Sequence, residues 1–356
     1  MSLLVAVAAC ATVLAAGPEA APLTIDPERA QQELVRRAIA RLSPSVVTIE
    51  TVGGVAPRPS RVAHSEAEPG ATRAELGIPA AEGPTTGLIF SSDGLILSSS
   101  FHFARDPAVI VVRLADGSRY PARLLGRDDL RRLVMLKIDA EQLPVPTWAD
   151  QDAIRVGQWA IALGRGFGGP DVCVSVGIVS GLGRMGGNAI QTDAKLSPAN
   201  YGGPLADLRG RVLGICVPMS YEPGELAGAE LYDSGIGFAI GPWAIETIGP
   251  RLARGESIVR GILGVSVSPV RGALRIEAVA SGSPAESAGM RPGDELVAID
   301  DRAVKGPADL RRVLAFRAAG EAIAVTVRRE GKLVHTDATL AAGPPPSTQP
   351  AAPGAR

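Results

Sequence analysis

Between Thr85 and about Ile248 the chain alternates short β-rich runs with closely spaced glycines. Such runs are typical of short strands, and glycine permits the tight turns that antiparallel sheets need. The pattern favours two antiparallel β-barrels over this region. The whole chain has 356 residues, which exceeds what a single hydrophobic core usually supports, so at least one further domain is expected.

The segment Pro198–Leu205 lies in this region and reads Pro-Ala-Asn-Tyr-Gly-Gly-Pro-Leu. It resembles the nucleophile loop of HtrA-type, trypsin-fold serine proteases, which reads Asn-Pro-Gly-Asn-Ser-Gly-Gly-Pro-Leu. Tyr201 stands where that family has its nucleophilic Ser. A nucleophile must reach a base and the oxyanion donors, whereas a phenol oxygen sits at the far end of its ring. The resemblance therefore implies a protease loop without its nucleophile.

The segment Thr85–Leu97 is similar to the strand and turn that precede the catalytic His in the same family. The family continues roughly Thr-Asn-Asn-His-Val-Val, but residues 98–103 read Ser-Ser-Ser-Phe-His-Phe, so Phe101 stands at the base position. His102 follows one residue later. In an extended chain a one-residue shift points a side chain to the opposite face, so His102 replaces the base only if a local bulge re-aims it.

The third triad position falls on Arg132. Residues 132–138 read Arg-Leu-Val-Met-Leu-Lys-Ile where the family has Asp-Leu-Ala-Val-Leu-Lys-Ile. A cation at this position repels the imidazolium that the family's Asp stabilises. Asp128 and Asp129 belong to the preceding turn and are predicted to face solvent. Together, Phe101, Arg132 and Tyr201 predict a pseudoprotease, in which no residue is catalytic.

The turn Gly202-Gly203-Pro204, which presents the oxyanion-hole amides in the family, is retained here. Either the hole survives in backbone form, or the glycines only satisfy a tight barrel turn, since glycine tolerates positive φ. We favour the second interpretation, because an oxyanion hole without a nucleophile has nothing to stabilise.

The C-terminal third carries a second resemblance, to bacterial-type PDZ domains. The segment Ala278–Asp300 matches the PDZ core closely, Arg260–Val267 looks like the carboxylate-binding loop and groove strand, Pro307–Leu314 like the groove helix, and Ala322–Arg329 like a late strand. PDZ domains add an extended C-terminus to a sheet edge. The alternative is that the glycines of the loop only shape its turn.

The resemblance implies a set of peptide-binding residues. Backbone amides of the loop would take the terminal carboxylate, and apolar residues of the strand and helix would line a pocket for the last side chain. The peptide-binding residues predicted in this way are Leu263, Gly264, Val265, Val267, Leu310 and Leu314.

The first residues predict export from the cytoplasm. Leu3–Ala16 is almost wholly apolar and ends in small residues, as in a secretory signal, and we assign residues 1–21 to it. The run is shorter than the roughly 20 apolar residues of a bilayer span. Val7–Cys10 also resembles a lipoprotein box, with Cys10 lipidated, as a second choice. Both alternatives predict a periplasmic or cell-envelope protein, held at a membrane only if Cys10 is lipidated.

Composition narrows the remaining function classes. A net charge of −1 without a basic stripe, and only 4% aromatic residues, do not support nucleic-acid binding. The three histidines, at positions 64, 102 and 335, show no metal-ligand spacing, so neither a metal nor a cofactor is expected. Cys173 and Cys216 fall in apolar, strand-like runs, where buried free thiols are favoured. A disulfide between the two is the alternative.

These observations predict a mainly β fold, with a trypsin-like double antiparallel β-barrel over residues 28–249 and an α+β PDZ domain over 258–341. Pro27–Leu42 has helical spacing of apolar residues, and Ser43–Ile49 is similar to the family's first barrel strand. Residues 53–84 are rich in Ala, Gly and Pro and predict a long mobile insertion. Residues 342–356 predict a disordered, Pro-rich tail.

The function that follows is that of an HtrA-like pseudoprotease. It would bind peptides or protein C-termini, as a scaffold or regulator in envelope protein quality control, with an active HtrA paralogue as a further candidate partner. The family resemblance implies a homo-oligomer, namely a trimer. The alternatives are an active HtrA-type endopeptidase that uses unrecognised residues, and a purely structural envelope protein whose groove is blocked by its own tail.

Overall fold

A computed structural model describes residues 26–53, 84–103, 106–166, 169, 171–219, 232, 234–270 and 273–343. The predicted export signal with Cys10 lies outside these residues, as do almost all of the predicted insertion and the tail beyond residue 343. None of the helices in the described ranges combines the length and the apolar character needed to cross a membrane.

The chain enters the fold through helix α1 (Pro27–Leu42), with the bounds that its apolar spacing predicts. The Asp26 side chain caps its first turn by accepting from the backbone N–H of Glu28 and of Arg29. A short 3₁₀ turn, Ser43–Ser45, follows, and the first strand begins only at Val46. The predicted strand start at Ser43 is therefore wrong, because these residues still continue the helical path and Pro44 has no N–H to donate to a ladder.

The first barrel is a closed antiparallel sheet. Its six strands run in the order β5-β4-β1-β2-β3-β6, and the pairing of β5 with β6 closes the barrel. Its interior is apolar, with Ile49, Ile96 and Leu136 fully buried. The strands are β1 (Val46–Val52), β2 (Thr85–Ile89), β3 (Leu95–Ser99), β4 (Val109–Arg113), β5 (Arg119–Asp128) and β6 (Leu133–Ile138).

The second barrel is closed in the order β10-β11-β12-β9-β8-β7. One buried cluster joins the two barrels, since Leu97 and Met135 of the first pack with Ile161 and Ile215 of the second. The elements are β7 (Trp159–Gly164), β8 (Cys173–Gly183), the helical turn α2 (Arg184–Gly187), β9 (Ala189–Thr192), β10 (Pro204–Ala206), β11 (Val212–Val217) and β12 (Gly237–Ile240), followed by helix α3 (Pro242–Ala253).

Both described cysteines are free thiols. Cys216 is buried in β11, and burial raises the pKa of its thiol to about 12, so it stays protonated at neutral pH. Cys173, at the start of β8, is only half-buried. The prediction of free thiols is confirmed, and full burial holds for Cys216 alone.

The last domain is a sheet with two helices and its own buried core, separate from that of the barrels. The sheet order is β15-β16-β17-β19-β20, and β18 pairs with β17. Helix α5 and strand β19 have the predicted bounds. The elements are β14 (Gly261–Ile262), β15 (Val265–Val270), β16 (Ala273–Val279), α4 (Pro284–Ser287), β17 (Glu295–Ile299), β18 (Arg302–Ala303), α5 (Pro307–Leu314), β19 (Ala322–Arg329), β20 (Lys332–Thr339) and β21 (Ala341–Ala342).

The domain boundaries shift by a few residues from the predicted ones. Strand β13 (Ser257–Ile258) pairs in parallel with β5, so Ile258 belongs to the barrel sheet and not to the last domain. At the other end, Ala342 pairs with Gly261, and the N–H of Gly343 donates to the carbonyl of Arg260. The predicted disordered tail therefore starts too early, because these two residues are held by backbone hydrogen bonds.

Candidate catalytic and peptide-binding sites

Two of the three predicted triad positions meet between the barrels. Tyr201 is only 2% exposed, and its ring packs edge-on against that of Phe101, with 5.5 Å between centroids and 73° between planes. The ring of Tyr232 also packs edge-on against that of Tyr201, with 6.2 Å between centroids and 70° between planes. Edge-to-face geometry is the favoured arrangement of aromatic pairs. We call Phe101, Tyr201 and Tyr232 the aromatic cluster.

Hydrogen bonds from the first barrel hold the backbone near both Tyr201 and Phe101. Thr85, at the start of β2, donates its hydroxyl to the carbonyl of Tyr201 at 3.2 Å. The third position, Arg132, lies next to the segment that carries Phe101, because the N–H of Ser100 donates to the Arg132 carbonyl at 2.8 Å. The fold thus brings the three positions together from segments that are distant in sequence. Burial lowers the pKa of the Arg132 guanidinium, and the charge of Asp129 opposes that shift.

Asp128 does not face solvent, so that prediction is wrong. Its side chain is fully buried and accepts from the N–H of Leu130 at 2.9 Å and from the N–H and guanidinium of Arg131 at 3.1 and 2.9 Å. It caps the turn after β5, since an Asp oxygen satisfies the backbone donors of the next residues. Asp129 is partly exposed and pairs with Arg127 at 2.8 Å. Both carboxylates are therefore engaged with arginines.

His102 lies in a short 3₁₀ helix, Ser100–Phe103, and not in extended chain. With three residues per turn, a one-residue shift rotates a side chain by about 120° rather than reversing it. The imidazole is 7% exposed, and its Nδ1 has no hydrogen-bond partner among the described residues. Burial lowers the pKa of His102 to about 4. The ring is thus neutral at pH 7, where it packs 5.1 Å from that of Phe101.

The retained glycine turn is bonded into the barrel. The N–H of Gly202 donates to Cys216 O at 2.8 Å, and that of Gly203 donates to Asn200 O at 2.9 Å. Gly202 has φ +86°, and a Cβ there would lie 2.2 Å from the carbonyl oxygen of Thr86. Only glycine fits this close approach of two backbones. The Gly202 amide therefore ties the turn to β11, and the Gly203 amide closes the turn itself.

The last domain contains an open groove of ≈ 520 Å³ between β15, α5 and the loop that joins β14 to β15. We call it the PDZ groove. The predicted residue Val267 lies beyond its end and packs against the domain core instead. The other five predicted residues line the groove, namely Leu263, Gly264, Val265, Leu310 and Leu314.

The loop turns backbone amides toward the groove. The carbonyl of Leu263 accepts from Ala285 N, and that of Gly264 accepts from Ala280 N, both at 2.9 Å. In a planar trans peptide the next N–H points the opposite way. The amides of Gly264 and Val265 therefore point away from α4 and β16. Gly264 has φ +83°, and a Cβ there would lie 2.3 Å from Ser283 Cβ, so glycine also shapes the turn.

Strand β15 is an edge strand. Its only partner in the described sheet is β16, and its other side faces α5. An unpaired strand edge is a template for a further strand, and extended peptides use such edges in β-augmentation. The loop amides and the open edge together suit a peptide that ends in a free carboxylate.

Two sets of residues were not predicted from the sequence. Tyr232 completes the aromatic cluster, although no motif surrounds it. Arg260 and Arg311 line the PDZ groove. The sequence could have indicated that Arg311 faces the groove, because it lies one residue after Leu310 and three residues before Leu314 on the same helix. Within the described residues, no group of three or more His, Cys, Asp or Glu side chains is placed to hold a metal.

Two closed antiparallel barrels followed by a small domain with an open strand edge define a trypsin-like peptidase fold joined to a PDZ domain. Residues 85–215 match the trypsin-like peptidase domain family and residues 261–340 match the PDZ domain family. The chain belongs to the HtrA family. It is 30% identical over 358 residues to the putative serine protease HhoB of Synechocystis sp., covering 88% of this chain and 81% of that protein.

Other relatives agree with this assignment. A probable periplasmic serine endoprotease, DegP-like, of Chlamydia trachomatis is 34% identical over 274 residues, which is 72% of this chain and 53% of that protein. The chain thus spans about half the length of such DegP-like relatives. The solved structure of the HtrA-type protease AlgW with tripeptide superposes with a TM-score of 0.63 at 28% identity, over 88% of this chain and 98% of that one.

Proposed function

We propose that this HtrA-family chain is a pseudoprotease that binds protein C-termini through its PDZ groove. The observation that carries the proposal is the aromatic cluster. Phe101 and Tyr201 occupy the family's base and nucleophile positions, and their rings pack against each other. Covalent catalysis needs a nucleophile and a base in hydrogen-bond contact, with the base oriented by a third group.

The neighbouring groups do not supply a substitute pair. The Nδ1 atom of His102 has no partner among the described residues, and Asp128 and Asp129 are engaged with arginines. The pKa of about 4 also makes His102 a weak base at neutral pH. The loss of all three roles supports a binding function for the barrels, as a scaffold for the PDZ domain.

The proposed setting is the periplasm or cell envelope, because relatives are named periplasmic endoproteases. There the chain would act as a scaffold or regulator in protein quality control, with unfolded proteins or an active HtrA paralogue as partners and a trimer as the assembly. A lipid anchor on Cys10 is the second choice for its attachment.

The test of the pseudoprotease proposal is direct. The purified chain is incubated with unfolded casein and with a fluorophosphonate probe, beside an active HtrA-type protease. We expect neither cleavage nor labelling. Casein cleavage that co-purifies with the wild-type chain and is lost in Tyr201→Phe or His102→Gln would overturn the proposal.

The alternative of an active endopeptidase rests on one observation, the unpartnered imidazole of His102 beside Phe101. A substrate that moved the Phe101 ring would expose this imidazole. The His102→Gln arm of the same assay decides the alternative, because any turnover that depends on His102 disappears in that variant.

A further inference from the structure

The charged residues that line the PDZ groove are all positive. Of the fourteen residues that line it, two are arginines, Arg260 and Arg311, and none is Asp or Glu. The remainder are apolar or small, apart from Ser266. A cleft lined by charges of one sign concentrates ligands of the opposite sign. The groove is therefore built for a ligand with more negative charge than a single terminal carboxylate.

Arg311 faces the groove because of its position on α5. At 100° per residue, Leu310, Leu314, Arg311 and Ala315 cover one side of the helix, and all four line the groove. Arg312 points about 100° further round. It lines a separate polar cleft next to the barrels, and it pairs with Asp309 at 3.1 Å. The two neighbouring arginines thus face different surroundings.

No acidic residue in the described parts of the chain forms an ion pair with Arg311, and its side chain is exposed. Arg260, at the loop end of the groove, lies close enough to Arg132 for its charge to add to the lowering of the Arg132 pKa by burial. The two arginines of the lining, without a lining acid, give the groove a positive potential that an acidic ligand would neutralise.

The position of Arg311 along the groove sets which ligand residue it meets. The loop end of the groove lies beside the residues after α5, since Gly261 N donates to Arg317 O at 2.8 Å. Arg311 lies four residues before Ala315, which is about 6 Å along the helix axis. An extended peptide advances about 3.3 Å per residue, so this distance corresponds to about two residues. Alternate side chains share a face, and the residue two before the C-terminus therefore faces α5.

We propose that the PDZ groove selects C-termini with Asp or Glu two residues before the terminal residue, and that Arg311 binds this side chain. Arg260 supplies positive potential at the carboxylate end. The inference rests on the proposed binding of C-termini. An exposed ion pair of this kind contributes about 1 kcal/mol, which is about a fivefold difference in affinity.

The experiment uses the purified chain and fluorescein-labelled nonapeptides in polarisation titrations. The peptides end in Val, Leu, Ile or Phe, carry Glu or Gln two residues earlier, and are made as free acids and as amides. Wild type, Arg311→Gln and the matched control Arg312→Gln are compared after their melting temperatures are shown to agree.

We expect wild type and Arg312→Gln to bind the Glu peptide about fivefold more tightly than the Gln peptide. Arg311→Gln should bind both with the affinity of the Gln peptide, and Arg311→Glu should prefer a peptide with Lys at that position. Equal affinity for Glu and Gln peptides, with amides still weaker, would overturn the selectivity and leave C-terminus binding intact. Equal affinity for acids and amides would overturn the proposed function itself. A Glu preference that survives in Arg311→Gln would remove Arg311 from the role.

Discussion

The aromatic cluster and the PDZ groove use apolar side chains in opposite ways. In the barrels, Tyr201 is 2% exposed and packs against two other rings, so the predicted triad region is occupied by the protein's own side chains. In the PDZ domain, Leu310 and Leu314 border an open groove beside an unpaired strand edge. Filling stabilises a fold, whereas an open groove leaves apolar surface and backbone donors available to a ligand.

The two regions also differ in their charges. Beside the aromatic cluster, the imidazole of His102 is buried and neutral at pH 7, and nearby carboxylates are paired. The PDZ groove presents two arginines and no acid. One region therefore has its polar groups neutralised within the protein, and the other keeps charge for a partner. The comparison predicts that changes in the cluster alter stability and that changes in the groove alter binding.

The largest effect is expected for Tyr201→Ser, which places a serine at the predicted nucleophile position but empties the cluster. Truncation of a buried aromatic side chain costs about 3–5 kcal/mol because a cavity remains. We expect this loss in urea unfolding followed by tryptophan fluorescence, which reports on the barrels because Trp148, Trp159 and Trp243 all lie there. Phosphonate labelling of the variant should stay absent. Unchanged stability, or acquired labelling, would show that the cluster does not fill the site.

The next effect concerns pH. The pKa of His102 is about 4 in the fold, against about 6.5 in the unfolded chain, where the imidazole is solvated. As pH falls from 6.5 to 4, the unfolded state takes up a proton that the folded state refuses, so stability falls by up to about 3 kcal/mol. Above pH 6.5 this contribution is constant.

The control for the pH effect is His102→Gln, which cannot titrate. The difference in unfolding free energy between wild type and this variant should change between pH 6.5 and 4, and acidic residues common to both cancel. A difference that is independent of pH would place His102 in a solvated environment and weaken the contrast between the two regions.

A third effect belongs to the groove. Amidating a bound peptide removes the charge that the amides of Gly264 and Val265 face. Charge-assisted hydrogen bonds contribute about 1.5–3 kcal/mol, so affinity should fall by roughly ten- to a hundredfold. Isothermal titration of the purified chain with paired acid and amide peptides measures this. The Tyr201→Ser variant should give the same ratio as wild type, and a changed ratio would show that the two regions are coupled.

The smallest effect is expected for Phe101→His, which places an imidazole at the predicted base position. Phe101 is half-buried, and an imidazole in its place would contact Tyr201 without an orienting carboxylate, so we expect a cost of about 1 kcal/mol. The melting temperature of the barrels should fall, while the apolar control Phe101→Leu should lower it less. A raised melting temperature in Phe101→His would contradict the apolar character of the cluster.

Much of this molecule could be predicted because its signals are local or are carried by family motifs. Helix α1 was predicted with its observed bounds from apolar spacing, as was α5 from the PDZ motif. The convergence of the three triad positions followed from matching residues on both sides of each. These signals do not depend on which side chains pack against them.

The rest depends on tertiary contacts. Burial of Asp128 follows from its bonds to Arg131, and a solvent-exposed turn would have the same local sequence. The 3₁₀ path through His102 and the packing of Tyr232 on Tyr201 are likewise set by the barrels around them. Val267 is not among the residues that line the groove, because the lining on β15 ends at Ser266; its predicted role in peptide binding stays a prediction.

Strand β13 has a mechanical consequence. The barrel sheet holds the chain up to Ile258, and β14 begins at Gly261. Val259 and Arg260 are therefore the whole connection, and the Cα atoms of Ile258 and Gly261 lie at most roughly 11 Å apart. Backbone hydrogen bonds hold this connection on both sides: the N–H of Asp129 donates to the carbonyl of Ile258, and the N–H of Ala319 donates to the carbonyl of Val259, each at 3.0 Å. If a chain end is bound in the PDZ groove as proposed, a force on it meets no slack linker. It reaches the edge of β5 directly, four residues from Arg132.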